Sequence, residues 1–229
     1  MKIQKSGSKI VLTDHLSEPL KGAATAKVDI NSESGNLTID RLTGGEQLLA
    51  SGTLQYIEKQ GPPTRTLDSS NGHTSLTLKG GRDIGRPWLR LPWAACNGAL
   101  EWQIYLNPTV SFDIKAHSSG GNVKLNLAGT VVTSILTDTG GGNIDVVLPD
   151  KADDLNVVAK TGAGNVVLQI PGGIEARIHA TSGLGKLIMD ARFNKIDDNT
   201  YQSPGYEGAA NKVEITAATG AGNVIVNTR

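Results

Sequence analysis

The pattern of hydrophobic and polar positions along this chain repeats about every 21 residues. Each unit holds two short segments in which aliphatic and polar residues alternate, and a glycine-rich turn separates them. Because period-two alternation is typical of strands with one buried face, we expect up to seven strand, turn, strand units. The residue that follows each turn marks the repeat: Asn36, Ser75, Asn122, Asn143, Asn165, Lys186 and Asn223.

Equivalent positions of the units form aliphatic columns. Eight residues before the marker stand Val28, Leu67, Ile114, Ile135, Val157, Ile178 and Ile215. One residue after it stand Leu37, Leu76, Val123, Ile144, Val166, Leu187 and Val224. Three residues after it stand Ile39, Leu78, Leu125, Val146, Leu168, Met189 and Val226. We expect these columns to face the interior and to stack from unit to unit. A fourth column, six residues before the marker, is mostly small, which predicts that opposite walls come close there.

Glycine precedes the marker by one residue in six units and by three residues in five. We therefore expect positive φ angles in the turn, which glycine adopts without strain. Asparagine tolerates the same region, and stacked asparagines can bond from one unit to the next. The sequence thus predicts a structural turn ladder of Asn36, Asn122, Asn143, Asn165 and Asn223.

A repeat of this length predicts an all-β fold, a β-solenoid in which strand, glycine turn, strand units stack as in a single-stranded β-helix. The alternative is a packed antiparallel β-hairpin array, and periodicity does not separate the two. We expect one elongated domain over 1–229. Its 1–106 part is irregular and carries an insertion, whereas 107–229 holds regular rungs with an insertion at 191–211.

The last strand, from Asn223 to Thr228, has no following unit in the sequence. An unpaired strand edge is a template for pairing with another chain. We therefore expect a homo-oligomer that forms through this terminal edge.

Charge and cysteine content limit the classes of partner. Lys plus Arg and Asp plus Glu are both 22, so no basic surplus favours nucleic acid or anionic lipid. The single cysteine, Cys96, has no second thiol for a disulfide or a thiolate metal site. No apolar run is long enough for a transmembrane segment, and the first residues lack a signal-peptide pattern. We expect a soluble chain, and the compartment stays open.

No catalytic, cofactor or metal site is predicted. The glycine run at Gly140 to Gly142 is not followed by the Lys and Ser or Thr of a phosphate-binding loop. Histidines do not align between units, and no ladder of carboxylates crosses them. The chain is therefore interpreted as a non-enzyme.

One cluster suggests a binding surface: Arg86, Trp88, Arg90 and Trp93 interleave the two residue types that dominate binding hot spots. The alternative is that these residues cap the open end of the solenoid or fill its widest part. Trp102 alternates with Leu100 and Ile104, which predicts that its ring is interior.

The stretch from Asn107 to Pro149 resembles bacterial toast-rack and adhesin-like domains, including the C-terminal domain of LiaF-type envelope-stress regulators. The resemblance rests on Asn107, Pro108, Phe112, Ile114, Asn122, Val123 and the run Gly140 to Ile144. It implies a non-enzymatic structural or interaction module, associated with the cell envelope, whose partner is a protein or a glycan. A carbohydrate-binding or carbohydrate-cleaving β-solenoid remains the alternative.

Overall fold

A computed structural model describes residues 4–6, 9–44, 47–81 and 100–229, and their strands form two ten-stranded sheets. Sheet 1 contains β1 (Gln4–Ser6), β2 (Lys9–Pro19), β4 (Asn36–Arg41), β5 (Leu48–Ile57), β8 (Glu101–Leu106), β10 (Val123–Asn126), β12 (Ile144–Val147), β14 (Val166–Ile170), β16 (Leu187–Met189) and β20 (Val224–Thr228). Sheet 2 contains β3 (Thr25–Asn31), β6 (Thr64–Ser70), β7 (His73–Lys79), β9 (Ser111–Ser118), β11 (Val131–Thr139), β13 (Leu155–Ala163), β15 (Glu175–Ser182), β17 (Asn194–Lys195), β18 (Thr200–Gln202) and β19 (Lys212–Ala221). Short 3₁₀ turns occupy Glu58–Gln60 and Tyr206–Gly208.

The two strands of each unit lie in opposite sheets, and each pairs in parallel with the equivalent strand of a neighbouring unit. Six units form such rungs: β3–β4, β9–β10, β11–β12, β13–β14, β19–β20 and β15–β16. This pairing confirms the β-solenoid and excludes a hairpin array, in which the two strands of one unit would pair with each other. The β3–β4 rung is regular, although it lies in the part that we expected to be irregular.

The register joins the residues of the aliphatic columns directly. Val28, Ile114 and Ile135 are successive partners in sheet 2, as are Leu37 and Val123 in sheet 1. These side chains are buried, and each buried aliphatic side chain contributes roughly 1.5–3 kcal/mol. The residues of the fourth column are successive register partners in the order Ala116, Thr137, Ala159, Ala217 and Ala180, so the interior is narrow along most of the stack.

Most turn glycines are required by contact between rungs. A Cβ on Gly121 would lie 2.0 Å from the carbonyl oxygen of Gly35, and one on Gly185 would lie 1.7 Å from that of Gly222. Positive φ angles occur at Gly35, Gly164 and Gly222 but not at Gly121 or Gly185. The expectation of positive φ throughout the turn is therefore wrong, because the repeated constraint is the close approach of main chains.

The Ser75 unit is not a rung. Its strands β6 and β7 pair antiparallel in sheet 2, where Leu67 faces Leu76. Leu76 then aligns with Val28 through the parallel pairing of β7 with β3. In sheet 1, β1, β2, β5 and β8 are antiparallel, and β8 joins β4 in parallel. This end of the stack is thus closed by hairpins.

At the other end the rungs do not follow sequence order. β19–β20 lies between β13–β14 and β15–β16, so the last rung in sequence is interior. Val224 pairs with Val166 on one side and with Leu187 on the other. The prediction that Asn223 to Thr228 lacks a partner is wrong, because the insertion at 191–211 gives the chain the length to return and pair on both sides. The end strand of sheet 1 is β16.

Candidate functional site

The five asparagines of the turn lie one above another along the stack. Each Oδ1 accepts a hydrogen bond from the main-chain N–H of the marker residue in the next rung, at 2.8–3.0 Å. The bonds run in the order Asn36, Asn122, Asn143, Asn165, Asn223 and finally Lys186. The chain of bonds ends at Lys186, whose side chain offers no acceptor.

A second ladder, which the sequence interpretation missed, lies beside the first. A Ser or Thr stands four residues before the marker of each rung, and in the five rungs after β3–β4 its hydroxyl donates to the carbonyl of the turn glycine in the preceding rung, at 2.8–3.0 Å. The donors are Ser118, Thr139, Thr161, Thr219 and Ser182. The signal was present, because this position carries a hydroxyl in every rung. Together the ladders fix the spacing and orientation of the turn.

The outward residues of sheet 1 form a row that crosses the rungs. Register partners along it are Gln103, Thr38, Lys124, Asp145, Val167, Ile225 and Ile188. The first four are polar and the last three are aliphatic, so the character of the face changes along the stack. Rigid strands hold the whole row, which gives the surface a fixed shape.

The polar half of this face contains a shallow cavity of about 360 Å³, which we call the polar groove. It is lined by Asn36, Leu37, Thr38, Glu101, Trp102, Gln103, Asn122, Lys124, Asn143 and Asp145. The asparagine ladder forms one side of it, and the strands β8, β4, β10 and β12 supply the rest. The carboxylates of Glu101 and Asp145 and the ammonium of Lys124 give the lining a net formal charge of −1.

The ladder leaves hydrogen-bonding capacity at the polar groove. The Oδ1 atoms of Asn36, Asn122 and Asn143 are used between rungs, whereas among the described residues no acceptor binds their Nδ2 groups. Each Nδ2 can donate two hydrogen bonds. The carboxylates of Glu101 and Asp145 add acceptors. The arrangement therefore suits a neutral ligand rich in hydroxyl or amide groups.

The predicted binding patch of Arg86, Trp88, Arg90 and Trp93 lies outside the described residues. Trp102 is interior as predicted, with 2% of its surface exposed and its Nε1 donating to the Gln55 carbonyl at 3.0 Å. The patch belongs to the segment that leads into β8, the strand that carries Glu101 at the polar groove.

The histidines do not converge on a metal. His117 Nδ1 bonds the Asp138 carboxylate, and its Nε2 lies 3.4 Å from Ser119 Oγ. His117 and Asp138 are register partners on the outward face of sheet 2 and Ser119 lies in the turn that follows β9, so all three side chains are at least partly exposed and water competes for each contact. Within the described ranges there is no group of three His, Cys, Asp or Glu placed to hold a metal ion. None of the helices described in this structure is long and apolar enough to cross a membrane.

Comparison with known proteins places these features in a wider group. Residues 2–169 match the family model described as "N-terminal domain of toast_rack, DUF2154". No curated protein sequence matches the chain at a significant level.

A solved structure shares the fold. The crystal structure of a putative cell adhesion protein from Clostridium sporogenes superposes with a TM-score of 0.82 at 21% identity, covering 96% of this chain and 100% of that one. A putative adhesin from Bacteroides fragilis covers 94% of this chain and 96% of its own at 10% identity, with a TM-score of 0.34. The first shows the same two-sheet architecture, and the second value is too low to carry an argument.

Proposed function

Because this chain belongs to the toast-rack family, we propose that it is a non-enzymatic interaction module of the cell envelope that binds its partner through the polar groove. The observation that supports this proposal most is the row of asparagine Nδ2 donors beside a concave polar surface. The similar solved structure from Clostridium sporogenes is described as a cell adhesion protein, which agrees with a binding role.

The groove is suited to binding because its side chains are held before a ligand arrives. The main-chain N–H of Asn122 donates to Asn36 Oδ1, and its side-chain Oδ1 accepts from the Asn143 N–H, so both its main chain and its side-chain amide are held. A side chain that is already ordered loses little conformational freedom on binding, which otherwise costs about 0.5–1.5 kcal/mol for each group. A rigid face of this kind supports selective recognition of one partner.

The aromatic patch of the sequence extends this proposal. Trp88 and Trp93 precede β8 in the chain, and Arg86 and Arg90 stand between or beside them. We expect that Trp88→Ala and Trp93→Ala weaken partner binding, because tryptophan and arginine supply most hot-spot energy. Quenching of tryptophan fluorescence by a ligand would report the contact.

Carbohydrate is the second candidate partner, and the amide and carboxylate lining of the polar groove favours it. Sugar hydroxyls both donate and accept, so they match Asn Nδ2 donors and carboxylate acceptors side by side. Cleavage is less well supported. Glu101 and Asp145 stand on strands three spacings apart, about 14 Å, whereas glycosidase carboxylates lie roughly 5–9.5 Å apart.

A glycan array combined with a reducing-sugar assay tests the proposal. We expect selective binding without turnover, and loss of that binding in a variant carrying Gln103→Ala, Lys124→Ala and Asp145→Ala. The matched control carries Asp113→Ala and Lys115→Ala on the outward face of sheet 2 and should bind normally. Release of reducing ends would overturn the non-enzymatic role. Equal binding by both variants would remove the polar groove from the proposal.

Envelope association is tested separately in the native host. We expect the protein to co-sediment with the envelope fraction through its partner, and a groove variant to shift toward the unbound fraction. A wild-type protein that never fractionates with the envelope would contradict this part of the proposal without affecting the binding result.

A further inference from the structure

The two sheets end differently beyond the β15–β16 rung. Sheet 2 continues past β15 with β18, which pairs antiparallel through Ile178 and Tyr201, and then with β17. Sheet 1 stops at β16 in the part of the chain that the structure describes. Sheet 1 therefore has an open position opposite β18.

The main chain of β16 can pair with another strand on the side opposite β20. Val224 N donates to Lys186 O at 3.0 Å, and Asp190 N donates to Val226 O at 2.9 Å. Because main-chain groups alternate in direction along a strand, those of Leu187 and Met189 face away from β20. No described residue bonds to them. These groups form a short edge with donors and acceptors available.

The side chains of β16 also lack the cover that a further strand would give them. In the five other rungs, the two columns that contain Leu187 and Met189 are fully buried, whereas these two residues are half-buried. Beside them Ile188 is 45% exposed and Leu184 is 87% exposed. An added strand would cover aliphatic surface that the rest of the stack covers with its own rungs.

From this edge we infer a docking site for an extended segment of a partner polypeptide, bound as an additional parallel strand beside β16 with an acidic residue facing Lys186. Sheet 2 is already extended beyond this rung by β18 and β17, so the vacant position lies in sheet 1 alone. If a second copy docked here by its end, both of its sheets would reach this position, and its sheet 2 would contact β18. The occupant is therefore a single strand and not another stack.

Lys186 gives the site its charge preference. It is exposed at the amino end of β16, and its main-chain N–H is used by Asn223 while its side chain makes no ion pair with a described residue. A lysine at a strand edge disfavours indiscriminate pairing. It favours a strand whose carboxylate lies directly opposite. This surface is separate from the polar groove.

A peptide based on the natural neighbour of β16 tests the inference. The probe copies residues 222–229 with Asn223→Asp, so that the register of β20 would place its carboxylate against Lys186. We expect the labelled probe to raise its fluorescence anisotropy with the protein, and hydrogen exchange at Leu187 and Met189 to slow. A probe with Ile225→Pro should not bind, because it lacks the N–H that faces the edge.

A charge exchange separates specific docking from adhesion to exposed aliphatic surface. Lys186→Glu should weaken binding of the acidic probe about three- to fivefold. A probe with Asn223→Lys should recover that loss on the Lys186→Glu protein. No anisotropy change with the acidic probe, or binding that ignores both the proline and the charge exchange, would overturn the inference. Dimerisation of the protein alone that Lys186→Glu abolishes would assign the edge to a second copy instead.

Discussion

At the turn, the main chains of adjacent rungs approach so closely that a single methyl group has no room. Gly142 shows this without a contribution from backbone strain, because its φ is not positive and a Cβ on it would lie 2.2 Å from Gly121 O. Gly141 is the preceding residue, and a Cβ there would meet nothing within 4 Å. A Cβ on Gly142 would therefore clash with the neighbouring rung, whereas one on Gly141 would not.

We expect Gly142→Ala to lower the free energy of unfolding by about 1–3 kcal/mol, the range for overpacking a closely packed site. Gly141→Ala should change it by less than about 1 kcal/mol. Urea unfolding of both variants measures the difference. Equal effects would show that the turn needs glycine for flexibility and not for space.

The asparagine ladder makes a second residue-scale prediction. Asn143→Ala removes the acceptor for the Asn165 N–H and should cost about 1 kcal/mol in unfolding free energy. Lys186→Ala is the matched control, because Lys186 holds the same turn position but accepts no ladder bond. Its effect should stay within about 0.5 kcal/mol. A loss of similar size at both positions would mean that the Oδ1 bonds contribute nothing.

At the scale of elements, the rungs could be predicted because burial repeats at fixed positions. Four columns and the alternation on both sides of the turn are enough to define two inward faces, and the observed register follows them. Leu67 and Leu76 were misplaced because β7 buries alternate residues just as a rung strand does, although it pairs antiparallel with β6, where Leu67 is only partly buried. Alternation gives the buried face of a strand but not the direction of its partner.

Tyr206 helps to anchor the 191–211 insertion to sheet 2, in addition to the pairing of β18 with β15. The Arg177 guanidinium lies 4.5 Å from the centroid of the Tyr206 ring, and Lys212 Nζ lies 5.7 Å from it. Its hydroxyl donates to Glu214 Oε2 at 3.2 Å. Burial first, and the Glu214 carboxylate second, raise the pKa of the Tyr206 hydroxyl above its usual value. The ring thus ties the insertion to β15 and β19.

We expect Tyr206→Ala to destabilise the protein by about 3 kcal/mol, near the lower end for removal of a buried aromatic side chain. Tyr206→Phe keeps the stacking and should lose about 1 kcal/mol. Limited proteolysis should cut Tyr206→Ala first within the insertion. If cleavage begins elsewhere, Tyr206 does not hold this segment.

The hydrogen bonds of Asp150 should make the stability of the fold depend on pH. Asp150 accepts from Arg229 Nη2 at 2.7 Å and from Gly129 N at 2.9 Å, and the Arg229 bond lowers the pKa of Asp150 below its ordinary value. A lowered folded-state pKa stabilises the fold above the unfolded value, about 4, and this contribution is lost as pH falls through the folded value. The carboxylate is more than half exposed, so solvent screening limits the effect to at most about 1 kcal/mol.

Thermal unfolding of wild type and Asp150→Asn measures this contribution. We expect the difference in midpoint to be constant near neutral pH and to shrink below about pH 4. Asp153→Asn is the control, since its side chain makes no ion pair with a described residue, and it should show no such pH-dependent difference. A gap between wild type and Asp150→Asn that persists in acid would contradict the assignment.

For the whole molecule, the order of the rungs is the feature that the columns could not predict. Val157, Ile178 and Ile215 are interchangeable in size and burial, so the core accepts either rung beside β13–β14. Lys186 was the residue of the sequence that indicated the order of the rungs. A marker that offers no Oδ1 is tolerated where no rung follows it, which places β15–β16 at the end of the stack. The polar groove was missed because its residues come from four strands distant in sequence.

Cysteine pairs on the outward face of sheet 1 test this order in solution. Val167 and Ile225 are register partners on neighbouring strands, as are Ile225 and Ile188. Their Cα atoms lie about 4.8 Å apart, within the range that a disulfide spans. In a Cys96→Ser background, Val167→Cys with Ile225→Cys should oxidise readily, and so should Ile225→Cys with Ile188→Cys.

Val167→Cys with Ile188→Cys is the deciding pair. A stack in sequence order would make these residues neighbours, whereas the observed order separates them by two strand spacings, about 10 Å, which exceeds disulfide reach. We therefore expect this double variant to stay reduced within the monomer under the conditions that oxidise the other two. Its ready oxidation, with failure of the two pairs that include Ile225→Cys, would establish that the rungs follow the sequence and that the terminal strand is the free edge after all.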